Sequence, residues 1–519
     1  MKLTAEQLLA QGYFLKELPP PFTSDLFGGK YNGFKGKITK SALRKLPKAS
    51  ESVPYSIPKN GVNRRVLKIP NPLHYEILCQ SIADNWPKIE KIYEASAYST
   101  SRPILDGVRI SNHGTKRFDR FKRNRLMISG ENVFELKTDI SKYYSTIYTH
   151  IIPWVIYGKA KAKTNRKPEL WGNALDRDVR NLQSGQTNGI PIGPQASAVI
   201  AELIGCKIDK LLQSTLGKIK GFRYVDDYYF YFPQEAAGEK IIKTLQVILG
   251  GYQLELNDRK TKIVRFPFGL ESEWVIALRA FIIRDLGKKQ ENDIRDYFSM
   301  VFRFASQFPE DPVLSYAIRK IEVKTIDPNN WDYFETWISK AILHNPLILP
   351  EATRIFLRNT SMVSRVKLKA TIQAILRAHI SKRNSYEVSW ALWLAKSLSI
   401  KIDARFIKSI FSSGDVISTL IALDLKNSGL VLGRVDTRRL SAELTEDALF
   451  DERWLLTYEA IVKKWLKPRI LNPISTNPYF KILASEKISF YDSSRQVDLV
   501  VKSYKAGRGA GLEDIGYPD

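Results

Sequence analysis

Aromatic and β-branched runs broken by tight turns mark the first half of the chain. Beyond about residue 286 the apolar positions recur at helical spacing instead. In the first half, Gly221-Phe-Arg-Tyr-Val-Asp-Asp-Tyr-Tyr-Phe-Tyr-Phe232 reads as two strands about a tight turn, with two carboxylates at the tip. Residues 132–139 read as a strand ending in an acid. Residues 55–59 and 64–70 read as a hairpin closed by Asn60-Gly61, a strong turn signal. Residues 74–92 and 147–163 have helical spacing. In the second half, 294–305, 331–343, 366–379, 387–398, 404–411, 416–425 and 454–466 read as helices separated by short Pro, Asn or Ser breaks. The pattern predicts an α+β domain over 1–285. An all-α domain over 286–519 follows, stacked like HEAT-like repeats though without a clean period.

Composition narrows this picture. The 519 residues are 44% hydrophobic and 26% charged, as in globular proteins, and suffice for two or three domains. The net charge of +26 is far from ordinary and calls for a polyanionic partner, nucleic acid first. No run approaches the roughly 18 apolar residues of a spanning helix, and the opening residues read as an amphipathic helix rather than a signal peptide, so no membrane is expected. Two cysteines, Cys79 and Cys206, make no disulfide framework and fit a reducing cytoplasm. His74, His113, His150, His344 and His379 are scattered and offer no zinc spacing. Residues 116–125 form the densest basic run and interleave Phe118 and Phe121. That pattern suits a surface tracking a phosphate backbone, or equally an amphipathic helix with both rings inward.

The chemistry lies in the acids. Adjacent carboxylates repel, and are tolerated best where a divalent cation offsets their charge. Asp226-Asp227 alone reads as readily as a surface turn, and Asp139 alone as a helix cap. Asp139 and Asp226 on adjacent strands would instead build a two-metal site, which clamps the attacking and leaving oxygens of a phosphoryl transfer.

Four segments in order then resemble the motifs of reverse transcriptases. They are Asp139 with its aromatic followers, the loop Gln183-Ser-Gly-Gln-Thr-Asn-Gly-Ile-Pro-Ile-Gly-Pro194, Tyr224-Val-Asp-Asp227, and Leu254-Glu-Leu-Asn257 with Lys260-Thr-Lys262. More closely, "GYFLKELPPPF", "DISKYYSTIYTH", "IPWVIYGKAKAK" and "SYEVSWALW" resemble the phage-defence reverse transcriptases of the abortive-infection type. The resemblance implies a DNA polymerase with catalytic Asp139, Asp226 and Asp227. Two magnesium ions, or manganese, would be held by Asp139, the Ile140 carbonyl and Asp226. It assigns Arg64, Arg65, Tyr144, Gln186 and Lys260 to the deoxynucleoside triphosphate, with Tyr144 beneath the sugar and Lys260 near the leaving group. Strand alternation lets only one of the two arginines face the nucleotide. The resemblance further implies anti-phage defence, a homo-oligomer, and single-stranded DNA made without an ordinary template and attached to a priming tyrosine. Tyr31 in its glycine-flanked loop, Tyr504 and Tyr517 are the candidates. A conventional RNA-templated enzyme with an RNA partner, or an idle nucleic-acid-binding scaffold, are the other readings.

Overall fold

A computed structural model describes residues 3–59, 63–106, 109–111, 125–267, 271–285 and 287–497. The Asn60-Gly61 turn, the basic run up to Asn124 and the tail tyrosines Tyr504 and Tyr517 lie outside the described residues.

Strands Val53–Pro58 (β1) and Arg64–Ile69 (β2) pair antiparallel as a two-stranded sheet of their own, and Ile104–Asp106 (β3) and Arg109–Ser111 (β4) form another. Phe134–Asp139 (β5), Lys220–Tyr224 (β6), Asp227–Phe232 (β7) and Lys262–Arg265 (β8) make a four-stranded antiparallel sheet in the order β6-β7-β5-β8. Strand β7 is buried on both faces, which explains its unbroken aromatic run. Tyr228, Phe230 and Phe232 join the main core, and Tyr229 and Tyr231 pack with Phe222 on the other side. Behind the sheet runs the 22-residue helix Gln195–Leu216, started by Pro194 and stopped by Gly217 at φ +75°. Leu254–Asn257 makes a single bridge, Leu256 to Ile140, and Lys262 opens the exposed edge strand β8.

From Lys288 onward the described structure is helical but for two short parallel strands, Ile402–Asp403 (β9) and Val431–Leu432 (β10). Its helices pack against their chain neighbours, Arg365–His379 on Ser385–Ser397 among them. One continuous buried cluster spans both halves, from Leu3 to Tyr491. Phe490 stacks on Phe14 and meets Tyr13 and Phe27 edge-on, and the Trp454 indole donates to the Ile69 carbonyl at 3.3 Å. Among the described residues no helix is long and apolar enough to cross a membrane. Cys79 and Cys206 are free and buried.

Two expectations are corrected here. Residues 28–36 are not a loop: Asp25–Gly29 and Tyr31–Phe34 are short helices, because Phe27, Tyr31 and Phe34 turn inward together. Arg125, the described end of the basic run, does not face outward. Its guanidinium pairs with Glu135 on β5 and lies over the Tyr229 ring.

Candidate active site

Strand pairing brings the predicted acids together. Asp139 ends β5 directly opposite Asp227, the first residue of β7, and the Ile140 amide donates to the Asp226 carbonyl at 3.2 Å. Tyr224 pairs with Asp227, leaving a two-residue turn of Val225 and Asp226. Such hairpins favour turns with positive φ at the first loop position, normally filled by Gly or Asn. Here it is Val225 at φ +52°, a strained setting for a β-branched residue that costs on the order of 1–3 kcal/mol.

That strain is held from behind. The Val225 amide donates to Ser101 Oγ at 2.8 Å, and Arg223 Nη1 donates to the Val225 carbonyl at 2.6 Å. Arg223 is wholly buried and forks onto Glu202 and Asp209 of the long helix, each at 2.9 Å. Ser99 and Ser101 complete Glu202; Ser96 and the Tyr228 hydroxyl complete Asp209. Gly205 leaves the guanidinium room, since a Cβ there would stand 2.6 Å from Arg223 Cζ. Burial alone would raise the Glu202 pKa, but Arg223 and the two serines override it and hold the carboxyl below its ordinary value. Arg223 was not singled out from sequence. Two acids seven residues apart on an apolar helix share a face, and that was the available signal.

The front of the turn is less complete. Asp139 is 4% exposed; its Oδ2 accepts from Lys260 Nζ at 2.6 Å, while its buried Oδ1 has no hydrogen-bond partner. Partial burial disfavours the Lys260 charge, but Asp139, with Asp227 and Asp226 beyond, outweighs it and raises the lysine's pKa. Lys59, at the end of β1, was not singled out from sequence. Its pKa is lowered by burial and by Arg65 and Lys260, against the pull of Asp226 and Asp139. Arg65 pairs with Ile57, so by strand alternation Lys59 and Arg65 share one face of the hairpin, within electrostatic reach of the acids.

The Arg64 guanidinium forks onto Glu387 at 2.6 and 2.8 Å and also donates to Ser56, so of the two arginines Arg64 is the one whose fork is already filled. Tyr144 lies half-buried in the short helix Tyr143–Thr146, and its carbonyl accepts from Ile190 at 2.8 Å. This hydrogen bond, with Thr149 to Thr187 and Gly189 to Ile147, fastens the 183–194 loop beside the segment that follows Asp139. Gly189 is required there: φ is +77°, and a Cβ would sit 3.1 Å from the Ser145 carbonyl oxygen. Gln186 is exposed on that loop. Tyr31 is buried, its hydroxyl donates to Gln80 at 2.9 Å, and its pKa is raised by burial and then by Glu76.

Among the described residues no three or more His, Cys, Asp or Glu side chains gather as a metal cage. A divalent ion shared with substrate phosphates needs fewer protein ligands. The orphaned Asp139 oxygen, the neighbouring acids and the Ile140 backbone beside Asp226 are a hard-oxygen set of that kind.

Residues 57–299 match the family described as reverse transcriptase (RNA-dependent DNA polymerase), so the chain carries a reverse-transcriptase-like nucleotidyltransferase domain. Among solved structures the chain is similar to apo telomerase from Candida tropicalis truncated from the C-terminal domain, at 13% identity and TM-score 0.30. That match covers 47% of this chain and only 56% of the other. It is also similar to apo telomerase from the same organism, at 12% identity and TM-score 0.32, covering 76% of this chain and 72% of that one. No curated protein sequence matches the chain.

Proposed function

We propose that the reverse-transcriptase-like domain is an active DNA polymerase that adds deoxynucleotides by phosphoryl transfer at Asp139 and Asp226. The observation that carries the reading is the register of Asp139 against Asp227 across β5 and β7, with one Asp139 oxygen buried and unpartnered. Two magnesium ions, or manganese, held by Asp139, Asp226 and the Ile140 carbonyl would activate the attacking hydroxyl and offset charge on the phosphates. Asp227 supports the pair. Arg65, and Lys59 beside it, meet the triphosphate from the hairpin, which suits the guanidinium fork and the ammonium. Lys260, kept charged by the acids, offsets charge building on pyrophosphate. Tyr144 bounds the sugar, and Gln186 on the glycine loop reaches the incoming base pair.

The abortive-infection motifs support a role in anti-phage defence, with a HEAT-like helical half as scaffold in a homo-oligomer. They also support single-stranded DNA begun on a protein tyrosine. With Tyr31 buried, Tyr504 and Tyr517 are the proposed primers. An RNA-templated reaction with an RNA partner is the competing reading.

Purified protein, magnesium and labelled deoxynucleotides test the activity. Asp226→Ala is expected to lower incorporation by about a thousandfold or more and to leave the melting temperature unchanged or raised, since it relieves repulsion between neighbouring acids. Undiminished synthesis by that variant would remove the polymerase reading. Product freed of peptide before any protease treatment would remove self-priming and favour the RNA-templated alternative.

A further inference from the structure

We propose that Glu387, in the helical half of the chain, is a positioning residue for nucleotide binding: through Arg64 it fixes the β1–β2 hairpin so that Lys59 and Arg65 face the acids. The inference rests on the polymerase reading above and adds to it a control that lies outside residues 57–299.

The hairpin is a sheet of only two strands. Such a unit is marginal by itself, so its pose is set by what it packs against. Its base is anchored on the reverse-transcriptase side, where the Lys68 amide donates to the Ile192 carbonyl at 2.9 Å, and by the Trp454 indole on the Ile69 carbonyl at 3.3 Å. Toward its tip the anchor comes from the other half. Arg64 pairs with Pro58 in the strand register, at the far end from Val53 and Ile69. Its Nη1 and Nη2 meet the two oxygens of Glu387 at 2.6 and 2.8 Å, and its Nε and Nη2 meet Ser56 at 2.7 and 3.0 Å. A bidentate fork fixes direction as well as distance. Glu387 is 1% exposed and Arg64 is half-buried, so water competes little for the pair. The same helix, Ser385–Ser397, adds two contacts: Ser389 Oγ meets the Tyr55 hydroxyl at 3.1 Å, and the Trp390 indole donates to the Glu17 carbonyl at 2.9 Å.

Strand geometry turns that clamp into a statement about the site. Successive side chains point to opposite faces, so holding Arg64 toward Glu387 holds Arg65 on the reverse face. There the charges of Arg65, Lys260, Asp226 and Asp139 all act on Lys59. A small displacement of the hairpin would move Arg65 and Lys59 together relative to the acids, weakening the hold on a triphosphate without touching the acids themselves. His379 Nδ1 also lies 3.7 Å from Glu387.

The test uses the full chain with magnesium, a primed strand and a deoxynucleoside triphosphate. Glu387→Gln is expected to raise the nucleotide KM about tenfold while kcat stays within about twofold. Amide exchange over residues 53–59 should quicken in the same variant. The charge-reversed pair Arg64→Glu with Glu387→Arg should recover most of the lost affinity. Glu351→Gln breaks the ion pair to Arg319 inside the helical half, and should leave KM alone. An unchanged KM in Glu387→Gln overturns the proposal. So does a fall in kcat with KM unmoved, or a KM shift of equal size in Glu351→Gln. If Glu387→Gln does not fold, Arg64→Gln is measured instead against the same criteria. If the wild-type chain incorporates nothing, it is the polymerase reading that fails, and unaltered exchange over the hairpin separately decides against the clamp.

Discussion

Two charged clusters stand on opposite sides of one turn. Behind it, Arg223, Glu202 and Asp209 are each buried, and every member is answered by another or by a serine or tyrosine hydroxyl. In front, Asp139 is as buried, yet one of its oxygens is unanswered and the other is held by a lysine whose side chain is 59% exposed. A saturated buried network rigidifies, and a buried carboxylate left short of partners needs a reason. The same chemistry thus does two jobs: the rear cluster fixes a strained Val225, and the front cluster keeps coordination capacity in reserve.

The largest effect comes from breaking the rear cluster. Arg223→Met leaves two buried carboxylates without their cation, and should cost about 3–5 kcal/mol, read by urea unfolding. Incorporation should fall with it, because the Val225 carbonyl loses its donor. Replacing all three charged groups by apolar residues of similar size should restore most of the stability. If that triple variant also restores full activity, the turn does not need Arg223 and the rear cluster is only a matter of stability.

Lys260→Ala attacks the front cluster and should separate the two measurements. The lysine is exposed but its partner is buried, so losing it leaves a second Asp139 oxygen unpaired and should cost about 1–3 kcal/mol, less than Arg223→Met. The rate should drop about a hundredfold if the ammonium acts on the leaving group. A stability loss matching that of Arg223→Met, with the rate intact, would make Lys260 structural and the two clusters alike.

How much of this could be read from the chain follows from how local each signal is. The hairpins and the acidic turn were legible because alternation and turn chemistry act over a few residues, and β5 and β7 do meet at Asp139 and Asp227. The partner of Arg64 was not: Glu387 lies 323 residues away, and no local pattern says which face of a hairpin a distant helix will cover. Lys59 escaped for the related reason that its neighbours, Lys260 and Asp226, come from other elements. Tyr31 misled because its glycine neighbours suggested a loop. The spacing of Tyr31 and Phe34, three apart, was the helical signal that those glycines hid.

The smallest effect concerns the wall of the site rather than its charges. Tyr143 and Tyr144 are adjacent rings with centroids 5.9 Å apart, and Tyr143 is buried and donates to the Ala201 carbonyl at 2.7 Å. Tyr144 is the half-buried member, and its backbone is pinned by Ile190 so that the ring cannot drift along the chain. A rigid ring beside a sugar discriminates by excluding a hydroxyl, and removing the ring gives that space back. Tyr144→Ala should therefore lower the preference for deoxynucleotides over ribonucleotides about tenfold, the scale of a one-group steric difference. Neither front nor rear charge cluster is touched, so deoxynucleotide kcat should stay within about threefold. The two kcat/KM values, compared for one base, check both numbers. Tyr143→Phe is the matched control: it removes a buried hydroxyl's bond to the long helix and should cost stability without altering the preference. Should the preference shift in Tyr143→Phe and not in Tyr144→Ala, the anchored ring is the wall and Tyr144 is packing.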